Sequence, residues 1–132
     1  MQSGSGVVSE ELAEQLRRAA RTAAGERLRS LTYFTDEAHE QVYLRSDLDA
    51  DANLSAFVAR ARDGFDADDA YRGSELGEYR YTIRRFEHGC VVRVTVRETG
   101  AIATAEGLTV ERGEEIASAL DSVLASEAAL KA

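Results

Sequence analysis

Apolar residues recur at helical spacing near the start of the chain, with Leu12, Leu16, Ala19, Ala20 and Ala23 on one face. Ser9 stands where an N-cap belongs, followed by Glu10 and Glu11 at the positive end of the helix dipole, and Gly25 supplies a stop. From Leu28 to Thr35 the pattern changes to a strand composition carrying Leu31, Tyr33 and Phe34. A polar turn over Asp36–Glu40 leads to a second strand, Gln41–Arg45, with Val42 and Leu44 on one face, so the pair reads as an antiparallel hairpin. An Asp-rich entry then precedes Leu54, Phe57, Val58, Ala61 and Phe65, an amphipathic stripe that predicts a second helix. Gly64 and the Asp66–Asp69 cluster end it, and a polar loop runs to Gly77.

The second half is richer in β residues. Glu78–Glu87 and Cys90–Glu98 flank His88-Gly89, which reads as the turn of a two-residue hairpin. Thr99-Gly100 marks another turn, Ala101–Ala105 a fifth strand, and Gly107 with Thr109 opens a third helix bearing Ile116, Ala117, Leu120, Val123 and Leu124. The order α-β-β-α-β-β-β-α predicts an α+β fold, a five-stranded antiparallel sheet with three helices, and not a doubly wound parallel sheet. At 132 residues the chain has the length of one domain. The expected boundaries are a flexible N-terminal tail over 1–8, a single α/β domain over 9–125 and a C-terminal tail over 126–132.

Composition narrows the class. An apolar fraction of 44% with 30% charged residues argues against wholesale disorder. One cysteine, Cys90, leaves no internal disulfide, which fits a reducing compartment. The apolar runs are too short for a bilayer span, and Met1–Gly6 has neither the basic nor the apolar region of a signal peptide, so a cytoplasmic protein without a membrane role is expected. Sixteen basic residues stand against 24 acidic ones, a net charge of −8, and all the basic residues but Lys131 are Arg. In molar salt the Debye length falls to about 3 Å, so dense acidic surfaces stay hydrated without repelling one another strongly. The acidic, Arg-for-Lys composition therefore points to a salt-adapted cytoplasm, a GC-rich genome being the other source of such a bias.

The element order and length resemble the roadblock/light-chain family. That resemblance implies helices on both faces of the sheet, homodimerisation and regulation of partner proteins. Profilin-like and GAF-like domains share parts of the order, which adds a small-ligand sensor to the alternatives. The stretch Val42–Leu48 is similar to short haloarchaeal proteins.

With His88-Gly89 as the turn, Tyr81, Ile83, Val92, Val94 and Val96 share a core face with Cys90 and Arg85. The opposite face pairs Phe86 with Val91, Arg84 with Arg93, Thr82 with Thr95 and Arg80 with Arg97. Like charges facing each other cost a few tenths to about 1 kcal/mol per pair, so this arginine face needs counter-charges. Five Arg stand against Glu78 and Glu87 between residues 78 and 97, a local charge of +3, so the rest of a −8 chain carries −11. Arg80, Arg84, Phe86, Val91, Arg93 and Arg97 are accordingly the candidate partner-binding residues. Acidic groups of a covering helix or a dimer mate could neutralise them, an acidic protein could dock there, or nucleic-acid phosphates could be bound with Phe86 stacking a base. High salt and an acidic chain weigh against the last.

No catalytic constellation emerges. Asp47, Asp49 and Asp51 resemble the first ligands of a calcium loop, but Ala52 replaces the turn glycine and Val58 the bidentate glutamate. His39, His88 and Cys90 are too few for a structural zinc site. The glycines at 100, 107 and 113 do not form a phosphate loop. The expectation is a non-enzymatic interaction or regulatory module that self-associates and binds a protein partner, with no metal or cofactor. A nucleic-acid binder or a small-ligand sensor is the alternative.

Overall fold

Ser9 Oγ accepts the Leu12 N–H at 3.1 Å, and from that cap helix α1 runs over Glu10–Ala24. Gly25, at φ 62°, ends it with its N–H on the Arg21 carbonyl, and a 3-10 turn over Gly25–Arg27 leads into β1, Leu28–Thr35. Thr35 Oγ1 accepts from the backbone N–H groups of Glu37 and Ala38, closing the turn into β2, His39–Leu44. The later elements are β3, Tyr81–Phe86; β4, Gly89–Val96; β5, Thr99–Glu106; and α2, Val110–Lys131. Thr109 Oγ1 accepts the Arg112 N–H and caps α2. These elements come from a computed structural model that describes residues 7–48, 73–107 and 109–131.

The five strands form one antiparallel sheet in the order β2-β1-β5-β4-β3. Both helices pack on one face and against each other. The small side chains Ala101, Ala103 and Ala105 of the central β5 leave room there for Leu16, Ile116, Leu120 and Leu124, all buried with Leu31, Val92 and Val94. Each such aliphatic side chain contributes about 1.5–3 kcal/mol on burial. Val8 is also part of this core, and α2 continues well past its last buried leucine. Two α-helices lie among the described residues, against three expected. The stretch read as the second helix, 54–65, falls outside those residues, as does most of the supposed calcium loop. Among the described residues no helix is long and apolar enough to cross a membrane.

The second sheet face is also buried at its centre, where Thr32, Phe34 and Ile102 lie and the hydroxyls of Ser30 and Thr104 meet at 2.6 Å. This hydrogen bond answers the cost of burying the two hydroxyls.

The β3–β4 register corrects the sequence reading. Phe86 faces Gly89, Arg85 faces Cys90, Arg84 faces Val91 and Thr82 faces Arg93. The turn is therefore Glu87-His88, with Gly89 already inside β4. Neither the Arg84–Arg93 nor the Arg80–Arg97 pair exists. The physical reason lies on β5: a Cβ at Gly89 would collide with the Ala105 carbonyl oxygen, so the glycine serves a close strand approach rather than a turn. The shift is two residues, an even number, so every side chain kept its expected face.

Candidate interaction surface

The two edges of the sheet are finished differently. On β2 the register shifts between Leu31 and Thr32, leaving Val42 as an extra residue, and Arg17 Nη1 donates to the Val42 carbonyl at 2.8 Å. A bulge and a side chain occupying a carbonyl of the edge strand both make that edge a poorer template for another strand. On β3 the ladder to β4 is regular throughout. The Thr95 N–H reaches the Arg80 carbonyl, and because ladder bonds alternate, Tyr81, Ile83 and Arg85 present their backbone groups away from β4. Tyr81 is 39% and Phe86 49% exposed. Arg84 and Arg85 are exposed as well, on opposite faces of the strand.

The six residues singled out from sequence do not make one patch. Arg93 stands at the middle of the second face, its guanidinium 5.8 Å from the Phe34 ring centre and 5.5 Å from that of Tyr79, and it donates to the Tyr79 hydroxyl at 3.1 Å. Such a stacked arginine acts as a packing element. Arg80 turns to α2 and meets Asp121 at 3.4 Å, an exposed pair worth little. Val91 is buried. Arg97 occupies the β4–β5 turn at φ 58°, six residues and roughly 20 Å along β4 from Val91 and its neighbour Arg84. Arg84 and Phe86 remain together on the edge strand β3, joined by Arg85, which alternation places on the core face near the turn and which is exposed there.

A second charged cluster escaped the sequence reading. Toward the β2 edge, at the strand ends that include Glu106, an open cleft of about 760 Å³ is lined by Arg21, Arg27, Arg45, Asp47, Glu106 and Arg112, among others. Arg45 grips Asp47 through two contacts of 2.7 and 3.2 Å, reaches Glu106 at 3.1 Å and donates to the Glu26 carbonyl. Its hydrogen bonds hold the carboxyls of Glu106 and Asp47 below their usual range and raise its own pKa further. Arg112 donates to the Ala23 carbonyl at the end of α1, and Arg27 to that of Gly107. These arginines therefore satisfy backbone carbonyls and carboxylates of the fold itself. Arg45 and Glu106 are 61 residues apart, and nothing in the sequence links them.

Cys90 is buried, and burial pushes its thiol pKa up against a smaller opposing effect of Arg85, the reverse of what an active nucleophile needs. Burial, and then the charge of Glu127, likewise raises the phenol of Tyr33.

A five-stranded antiparallel sheet backed on one face by two helices makes the described residues a small α+β domain. The chain belongs to the family described as "Domain of unknown function (DUF7522)", whose model matches residues 14–125. The structure is similar to the gliding protein MglB of Thermus thermophilus, at a TM-score of 0.58 and 11% identity, over 88% of this chain and 90% of that one. A roadblock/LC7 domain from Streptomyces avermitilis gives a TM-score of 0.49 at 17% identity, over 74% of this chain and 82% of that one. MglC from Myxococcus xanthus gives 0.49 at 9% identity, over 85% and 98%. No curated protein matches the chain in sequence.

Proposed function

We propose that this protein is a non-enzymatic interaction and regulatory module of a salt-adapted cytoplasm, and that it works as a homodimer paired through β3. The observation that carries this reading is the contrast between the edges: β2 is bulged and capped by Arg17, whereas β3 is regular with exposed apolar rings. The two-fold antiparallel pairing that uses all three outward residues centres on Ile83, with Tyr81 opposite Arg85 of the second copy and Arg84 opposite its Thr82. It makes one ten-stranded sheet of two five-stranded ones. The roadblock/light-chain resemblance implies homodimerisation, and the five-stranded antiparallel sheet that the resemblance leads one to expect is the sheet observed.

Light scattering in molar KCl tests it. The expected mass is twice the 14.4 kDa of one chain. Arg85→Pro removes an outward N–H without touching the β3–β4 ladder, and is expected to return a folded monomer. A wild-type mass of one chain at every accessible concentration would sink the proposal.

A further inference from the structure

Within β3, Arg84 and Arg85 have no acidic neighbour: the strand Tyr81–Phe86 contains no carboxylate. Neither forms an ion pair among the described residues. The segment from Glu78 to Arg97 is the basic part of an otherwise strongly acidic chain. Resting on the Ile83-centred dimer, the arrangement has a consequence for the second face. Arg84 of one copy lies diagonal to Arg84 of the other at about 7–8 Å. The two half-exposed Phe86 rings flank them, one at each end of the paired strands.

We infer that this strip, formed by Arg84 and Phe86 of both copies, is the docking site for an acidic segment of a protein partner laid across the two-fold axis. Charge complementarity selects the occupant. An acidic segment meets like charge over most of the chain and opposite charge here, and because molar salt shortens the range of these charges to about 3 Å, the selection is made by direct contact at the axis. Carboxylates of the segment meet the two guanidiniums, and its apolar side chains cover the Phe86 rings. Because the axis is shared, one segment binds per dimer. It also relieves the repulsion between the two arginines, so binding tightens the dimer.

The test titrates a fluorescein-labelled peptide of alternating Glu and Leu with the full chain and follows anisotropy, alongside the mass measurement. Three proteins are compared: wild type, Arg84→Glu, and Arg18→Glu, which changes net charge equally on the outer face of α1. Saturable binding at one peptide per two chains is expected, unchanged in Arg18→Glu. In Arg84→Glu it weakens by roughly tenfold or more, as loss of charge-assisted contacts implies. The dimer persists in Arg84→Glu, because reversing both members of a symmetric pair leaves like charges facing like. No saturable binding, equal loss in both variants, or equal competition by a single-stranded oligonucleotide would each overturn the inference. A wild-type monomer that binds one peptide per chain through Arg84 would overturn the shared axis together with the proposed dimer. A dimer whose binding ignores Arg84→Glu would overturn the strip alone.

Discussion

The ring of Phe34 on β1 lies over Gly100, its partner on β5, so closely that a Cβ at Gly100 would collide with three of the ring's carbons. Phe34 is fully buried, and the missing side chain of residue 100 is what lets it lie flat on the sheet. Gly100→Ala is expected to cost about 1–3 kcal/mol through overpacking, and Phe34→Ala roughly 3–5 kcal/mol through the cavity it opens. Because the alanine methyl then enters the space the ring has left, the double variant is expected to lose less than the sum of the two. Urea denaturation of the four proteins measures this. Strict additivity would mean that the ring and the glycine do not share one space.

Arg97 is the only non-glycine residue with positive φ among those described, and it is the first of the two turn residues between β4 and β5. A side chain in that region costs about 1–2 kcal/mol, partly offset in glycine by its freer unfolded chain. Arg97→Gly is therefore expected to stabilise the protein by roughly 0.5–1 kcal/mol. A lower denaturation midpoint in the variant would show that the arginine contributes more through its side chain than its backbone costs.

The Arg45 cluster gives the stability a pH dependence of definite sign. Glu106 and Asp47 are held below their ordinary values of 4.5 and 3.8 in the folded state, chiefly by hydrogen bonds from Arg45. As pH falls through those values the unfolded chain takes up protons first, so stability is complete above them and is lost on acidification. Glu106→Gln is expected to be less stable than wild type near neutrality, with the two curves converging in acid. Denaturation midpoints followed from about pH 6 to about pH 3 give the comparison. A constant gap between the curves would show that the loss comes from packing and not from the carboxylate.

Much of this architecture was legible because local chemistry and tertiary packing agree. Ser9 and Gly25 bound α1 as their residue types suggest, and the apolar stripe of the last helix is the stripe that meets the sheet. Side-chain period fixed the faces of β3 and β4 even where the register was wrong, since a two-residue slide conserves them. What sequence could not disclose depends on contacts between distant segments. Gly89 looked like a turn glycine because nothing local reveals the Ala105 carbonyl above it. Arg93 looked like one member of a charged patch because its cover, Phe34 and Tyr79, comes from other parts of the chain. Of the six candidate residues, Arg84 and Phe86 stay at an accessible edge because β3 ends the sheet. That position follows from strand order, which composition does not encode.

A net charge of −8 predicts a salt response that separates the two origins of the acidic composition. Raising KCl from about 0.1 to 1 M shortens the Debye length from about 10 to 3 Å and screens the self-repulsion of the folded chain. The exposed ion pairs that salt also weakens, such as Arg18 with Glu14, contribute about 0.3–0.5 kcal/mol each at most, so relief of repulsion dominates. Tm is expected to rise steadily with KCl. A flat or falling Tm would leave genome composition as the explanation of the arginine and aspartate bias.

The pairing register proposed for β3 makes a last prediction that involves no ligand. In the wild-type dimer, and in that of Arg84→Glu, the diagonal pair across the axis carries like charges. A mixed dimer of the two would carry opposite charges there. Cross-strand pairs of this kind change stability by about 0.2–1 kcal/mol, and the mixture gains on both sides because two repulsive dimers are replaced by two attractive ones. After equilibration of equal amounts, native mass spectrometry of the two proteins, one carrying a mass tag, is expected to show mixed dimers well above half of the total, the fraction that random exchange gives. A fraction of half, with exchange verified by two differently tagged wild-type samples, would place Arg84 away from the axis and require a different pairing of the two sheets.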